Sequence, residues 1–319
     1  MRPHLMKHVA ALLLLSAVAA RAGEIEDALE RAKRANARKD YATALAIYQR
    51  LAQDGRPEAI MSLGLMYAIG AGVERNPDHA CDLYQQAADK GLALSQHLLG
   101  DCFFHGNGRP RDYAKSKEWY EKAAAAGSVK ANCALGNQYR LGMGVPRDLE
   151  RGMALCRKAA DAGDADAQAD LAAAYLGQNT PEAHAQAFDL LTKAAAQGHS
   201  NAALNLGKMY WNGHGTEKNK EAAVRLLLIA WKGRTPEAPF LLGQYYFVRA
   251  LDIERRHVRQ GPGVQAMYWL SIAYKIDPNA ENRTESLKLA RMLNDVAPSL
   301  NDILDAWLKT SKEPPPLTE

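Results

Sequence analysis

A leucine followed by a very small residue, with an aromatic three places after that residue, recurs six times in this chain. The small residues are Gly64, Gly100, Gly136, Ala172, Gly207 and Gly243, at successive spacings of 36, 36, 36, 35 and 36 residues. The leucines are Leu63, Leu99, Leu135, Leu171, Leu206 and Leu242, and the aromatics Tyr67, Phe103, Tyr139, Tyr175, Tyr210 and Tyr246. A period of this length marks an array in which one supersecondary unit is stacked on copies of itself. Length therefore counts repeats here, not globular domains.

Within a period, apolar residues recur at three- and four-residue spacing through both halves, which predicts two amphipathic helices, A and B. Between them stand paired glycines, Gly70/Gly72, Gly106/Gly108, Gly142/Gly144 and Gly213/Gly215. They break the helix and supply the positive φ that a tight reversal needs. Asp40, Asn76, Asp112, Asp148 and Asn219 hold one slot at the start of helix B, where Asp and Asn are preferred N-caps. Gly55, Gly91, Gly127, Gly163, Gly198 and Gly233 follow helix B as left-handed caps. The Leu-Gly glycine differs, because it lies in mid-helix at a cost of about 1 kcal/mol relative to alanine. Ala172 in one copy shows that the requirement there is smallness. A close helix crossing is expected, with the alanine pairs of helix B (Ala87-Ala88, Ala123-Ala124, Ala159-Ala160, Ala194-Ala195) opposite and Tyr48, Tyr84 and Tyr120 filling wider gaps.

The phrase Leu99-Gly100-x-x-Phe103-x-x-Gly106-x-Gly108, followed by Trp119-Tyr120-x-x-Ala123-Ala124-x-x-Gly127, resembles the Sel1-like repeat family, relatives of tetratricopeptide repeats. The resemblance spans roughly residues 40–277. It implies an all-α, right-handed α/α superhelix that binds proteins. Such proteins act as adaptors, including exported bacterial ones in envelope assembly, regulation or host contact, and some carry disulfides that staple their helices.

Residues 1–22 are read as a signal peptide: Arg2 and Lys7, an apolar run over 9–20, and Ala20-Arg21-Ala22 as cleavage signal. The alternative, an uncleaved anchor, is opposed by the run's length, well short of the roughly 20 apolar residues that span a bilayer. Cleavage after Ala22 and a periplasmic or secreted location are expected, with no stable membrane insertion. Loss of these residues removes Arg2, Lys7 and Arg21 and no acid, so the formal charge falls from +4 to +1. A near-neutral chain lacks the basic stripe of a nucleic-acid binder. The remaining divisions are a tetratricopeptide-like hairpin over 23–58, repeats over 59–238, a divergent last repeat over 239–280, capping helices near 281–294 and 299–310 within 281–312, and a disordered tail over 313–319.

Four cysteines allow three complete pairings. Residues equidistant from a helix reversal meet across it. Cys81 and Cys102 centre on the Gly91 turn, and Cys133 and Cys156 on the Gly144 loop, which selects Cys81–Cys102 and Cys133–Cys156. Four buried free thiols are the alternative, since Cys156 occupies the slot of Tyr48, Tyr84 and Tyr120.

No catalytic residue, cofactor or metal site is expected. The Gly-x-Gly loops follow helices and lack the Lys-Ser/Thr of a phosphate loop, and neither Gly-x-Ser-x-Gly nor His-Glu-x-x-His occurs. His97 stands in a slot otherwise held by Met61, Cys133, Ala169, Leu204 and Phe240, so it is read as a satisfied core histidine. The binding surface is sought on helix A, which lines the concave face of solenoids. By the tetratricopeptide analogy its exposed positions lie one and four residues after the small residue. The first set is Leu65, Asp101, Asn137, Ala173, Lys208 and Gln244; the second is Ala68, Phe104, Arg140, Leu176, Trp211 and Phe247. Neither set keeps one residue type, as suits a surface adapted to a ligand, and Phe104, Arg140 and Trp211 are the expected anchors. The competing reading is that half of them pack on adjacent helices. A seven-residue insertion after Phe247 carries Arg255, Arg256 and Arg259. It is read either as a dock for an acidic partner or anionic polysaccharide or as a solvated extension of the last helix A. The function expected is an interaction scaffold, with a cell-wall or β-lactam hydrolase and a periplasmic regulator of a membrane sensor as alternatives.

Overall fold

A computed structural model describes residues 23–252 and 257–310. The proposed signal peptide, Arg255, Arg256 and the tail over 313–319 lie outside the described residues. The chain divides into two compact units, residues 1–158 and 159–319. The described residues form helices throughout, apart from one two-residue antiparallel ladder.

In the first unit α1 (23–37), α2 (Tyr41–Gln53), α3 (Pro57–Ile69), α4 (Pro77–Asp89), α5 (Ala93–His105), α6 (Tyr113–Ala125) and α7 (Val129–Leu141) stack, each from α2 onward on the next, and α8 (Leu149–Asp161) crosses the division. Helix A of the repeat is α3, α5 and α7; helix B is α4, α6 and α8. The Asx caps form as expected: Asp40, Asn76, Asp112 and Asp148 each accept the backbone N–H three residues on. The backbone N–H of Asn76, Asp112 and Asp148 also donates to the carbonyl of Tyr67, Phe103 and Tyr139, at 2.8–2.9 Å. The aromatic of the repeated phrase and the cap of the next helix are thus tied across the loop. Both loop glycines take positive φ in all four copies. In the first three copies the second lies against the first residue of the preceding helix B: a Cβ on Gly72 would stand 2.5 Å from Tyr41 Cβ, and one on Gly144 2.6 Å from Tyr113 Cβ.

The mid-helix glycine does meet a close crossing, but its partner is not the alanine pair. A Cβ on Gly64 would stand 2.7 Å from the Tyr84 ring, and one on Gly100 2.5 Å from the Tyr120 ring. The aromatic of the same repeat's helix B therefore fills the space that the missing side chain leaves. In the third copy Cys156 replaces the aromatic and the backbones approach further. Gly136 and Gly152 face each other, and a Cβ on either would stand 2.5 Å from the other's carbonyl oxygen. The alanine pairs instead sit one turn on. Ala87 and Ala123 are buried, and the carbonyl of Ala88 accepts a long bond from Gln96 at the start of the next helix A.

The second unit holds α9 (Ala165–Leu176), α10 (Pro181–Ala196), α11 (Ser200–Asn212), α12 (Lys220–Lys232), α13 (Ala238–Ala250), α14 (Gln260–Ile276), α15 (Ala280–Val296) and α16 (Ser299–Thr310). Thr180 and Asn219 cap α10 and α12. Gly243 lies under Leu270, a Cβ there standing 2.7 Å from its side chain, so the sixth copy keeps the crossing. Two expectations fail here. Gly233 has an ordinary negative φ, and Arg234 takes the left-handed conformation instead; Gly233 is needed because a Cβ would collide with Ser200. The insertion does not extend α13. That helix stops at Ala250, and Leu251 and Asp252 (β1) pair with Val258 and His257 (β2). Arg259 then leads into α14, whose residues 262–270 are all buried among α13, α15 and α16.

Both cysteine pairs are closed. Cys81 of α4 is bonded to Cys102 of α5, joining one repeat to the next, with Cα atoms 6.3 Å apart. Cys133 of α7 is bonded to Cys156 of α8 within one repeat, with Cα atoms 3.9 Å apart, the same place where the two glycines bring the helices together.

Candidate functional site

On helix A the residues one and four places after the small position are half-buried in ten of twelve cases, Leu65 and Ala173 being exposed. In the first unit Asp101 and Asn137 are half-buried, as are Phe104 and Arg140. Phe104 packs edge-on to Tyr113 at 5.4 Å and against the cluster of Tyr120, Leu135 and Tyr139. The Arg140 guanidinium donates to Asn137 Oδ1 at 3.1 Å, and no carboxylate accepts from it among the described residues. In the second unit Trp211 and Phe247 pack on the large cluster that contains Leu242 and Trp269. Lys220 lies over the Trp211 ring, 5.1 Å from its centroid. Lys208 and Gln244 are half-buried. The second set is thus the wall of the helix array as much as a free surface.

The sequence reading missed the position five residues after the small one. Ile69, His105, Leu141, Asn212 and Val248 are all exposed, Ile69 by 71%, Leu141 by 48% and Val248 by 62%. One and five residues on are four apart and share a helix face, so this stripe continues the first set to the end of each helix. The signal was present: in four of the six copies this is the residue directly before the loop glycine. A second missed feature is a basic residue at period 36. The guanidinium of Arg75, Arg111 and Arg147 donates to the carbonyl of Ala68, His105 and Arg140, at 3.1–3.3 Å. Each closes the carbonyl end of a helix A, where positive charge is favoured.

Between α3 and α5 the stripe opens into a pocket of about 190 Å³. Ala68, Ala80, Tyr84 and Leu98 line it with the Cys81–Cys102 bridge, and Asp101 stands among them. Asp101 Oδ1 accepts from the Tyr120 hydroxyl at 2.6 Å, and Oδ2 lies 3.5 Å from His97 Nε2. His97 is therefore satisfied on one side only: its Nδ1 is buried without a partner among the described residues. Burial, together with the Asp101 charge, pushes the Tyr84 hydroxyl up to about 12 and raises that of Tyr120 further. A wider, open cleft of about 630 Å³ lies at the loop end of α7, where Arg151 covers the Tyr139 ring at 4.1 Å. Among the described residues no three metal-ligating side chains converge, and no helix is long and apolar enough to cross a membrane.

The Sel1 repeat model matches residues 57–92, 93–128, 129–164, 165–199 and 200–230, more than half of the chain. The chain belongs to the Sel1 repeat family. Its sixth Leu-Gly phrase lies beyond the matched Sel1 repeats yet keeps their packing through Gly243 and Leu270. Among solved structures it is similar to a Sel1 repeat protein from Oxalobacter formigenes, 27% identical with a TM-score of 0.64 over 77% of this chain and 99% of that one. It is also similar to c5321, a protective antigen of uropathogenic Escherichia coli with the same repeat fold, at 25% identity and a TM-score of 0.44 over 87% of this chain and 68% of that one. A Pseudomonas aeruginosa protein, PA5086, is 21% identical with a TM-score of 0.48 over 66% and 81% of the two chains. No curated protein matches the chain. A Sel1 repeat solenoid is a scaffold fold typical of protein–protein interaction.

Proposed function

We propose that this Sel1 repeat protein is a non-catalytic scaffold that holds a protein or peptide segment along the exposed stripes of its A helices. One observation carries the reading. While the leucine and the aromatic of the repeated phrase recur in all six copies, the stripe ends in exposed apolar side chains (Ile69, Leu141, Val248) beside polar ones that change from copy to copy. Exposed apolar groups flanked by Asp101, Asn137 and Arg140 in one unit, and by Lys208, Gln244 and Trp211 in the other, offer contact area and selectivity together. Phe104 and Phe247 support the stripes from beneath. The leader-like residues 1–22 and the two disulfides favour export, where such bridges persist. A role in envelope assembly, regulation or host contact fits that location.

The test is crosslinking in intact cells followed by mass spectrometry, with the Ile69→Glu/Leu141→Glu double variant alongside. A specific adduct with the native protein, reduced at least about tenfold in the variant at unchanged helicity, supports the reading. Undiminished adducts in the variant overturn the site. Hydrolysis of nitrocefin or muropeptides that survives stringent purification overturns the non-catalytic assignment.

A further inference from the structure

We infer that the pocket between α3 and α5 receives a single lysine side chain of the bound partner; this rests on the scaffold reading above. At about 190 Å³ it is smaller than the sites that enclose whole small molecules and suits one long side chain. Its origin is visible by comparison with the next copy. Ala68 stands where Phe104 stands 36 residues later, and Phe104 fills the corresponding space against Tyr113 and Tyr120. Tyr84 matches Tyr120, whereas Cys81, Asp101 and Cys102 match Lys117, Asn137 and Gln138, so the carboxylate and the bridge belong to this copy alone. The pocket is therefore a vacated core slot, held open by the Cys81–Cys102 bridge that links its two helices.

The lining selects the occupant. Ala68, Ala80, Leu98 and the disulfide offer an apolar channel, and the single carboxylate is Asp101. Among the described residues no lysine or arginine pairs with that carboxylate; its partners are the Tyr120 hydroxyl and His97 Nε2. A carboxylate has about four lone-pair sites, so positions remain for an incoming ammonium. A lysine lays four methylenes on apolar surface and presents a compact point charge at the end. Arginine fits less well, because its planar fork favours two free carboxylate oxygens, and Oδ1 is already engaged by Tyr120. Acidic side chains set a like charge against Asp101, and neutral ones add no charge partner to the Tyr120 hydroxyl and His97 Nε2.

The probe is Nα-acetyl-lysine methylamide, titrated into the oxidised protein and followed by NMR at the methyls of Ala68 and Leu98. Saturable shifts at both are expected, with the norleucine analogue binding at least about tenfold more weakly. Asp101→Asn should weaken lysine about tenfold and abolish its preference over norleucine. Ala68→Phe, which copies the neighbouring repeat, should erase the shifts with helicity retained; if that variant misfolds, Asp101→Asn decides alone. Absence of saturable shifts, equal binding of norleucine or arginine, or a lysine preference that survives Asp101→Asn overturns the inference. Loss of lysine binding with crosslinking to a partner intact overturns the pocket and leaves the scaffold reading standing.

Discussion

The Tyr120 ring covers Gly100 so closely that a Cβ on the glycine would stand 2.5 Å from two ring carbons. Both are buried, and the Tyr120 hydroxyl reaches past the glycine to Asp101, one residue on in the same helix. The repeated phrase is thus half of a lock whose other half lies twenty residues later in helix B. Gly207 is looser, since a Cβ there would stand 3.4 Å from Leu227 and the Ala223 carbonyl, ordinary contact distances.

That difference predicts opposite signs for one substitution. Gly100→Ala should destabilise by about 1–3 kcal/mol through overpacking, despite the better helix propensity of alanine. Gly207→Ala should be neutral or stabilising by up to about 1 kcal/mol, as the natural Ala172 suggests. Urea unfolding midpoints of the two variants check this; equal destabilisation by both would contradict the packing described.

Each disulfide closes a loop of a little over twenty residues and should contribute about 3 kcal/mol. Cys81→Ala/Cys102→Ala should lower the unfolding midpoint, and reducing agent should bring the wild type below that variant, because it also opens Cys133–Cys156. A wild type indifferent to reductant in unfolding experiments would show that the bridges do not form in solution.

Burial raises the hydroxyl pKa of Tyr48, Tyr84, Tyr120, Tyr246 and Tyr268 above the usual value near 10, with Tyr84 and Tyr246 at about 12. In the unfolded chain these groups ionise first, so the folded state holds more protons between about pH 10 and 12. Stability is therefore full below pH 10 and falls as pH rises, by about 2–3 kcal/mol for Tyr84 alone. Tyrosinate absorbance should show five of the thirteen tyrosines titrating late or only with unfolding. A single transition of all thirteen near pH 10 in the folded protein would contradict their burial.

Much of this architecture was legible in the sequence because its causes are local. Cap side chains, positive-φ glycines and helical periodicity act within a few residues, and the 36-residue ruler then placed the cysteines opposite each other. What crosses between helices was read less well. The occupant of the space above Gly100 depends on which side chain of α6 leans over it, and spacing alone did not separate Tyr120 from Ala123-Ala124. The exposed side of helix A was partly misplaced for the same reason. Phe104, Trp211 and Phe247 turn toward neighbouring helices, whereas Ile69 and Leu141 are the last residues of their helices, Val248 lies two before the end of its own, and all three are exposed. The pocket beside Cys81–Cys102 needed two copies side by side, since Ala68 is informative only against Phe104.

Site-specific photocrosslinking tests the scaffold claim most directly. A photoreactive residue at Ile69 or Leu141 on helix A, and at exposed Gln86 on helix B, would report which face meets a partner in intact cells. The account predicts a discrete adduct from both helix A positions and none from Gln86. Adducts from Gln86 alone, or none from either face, would contradict it.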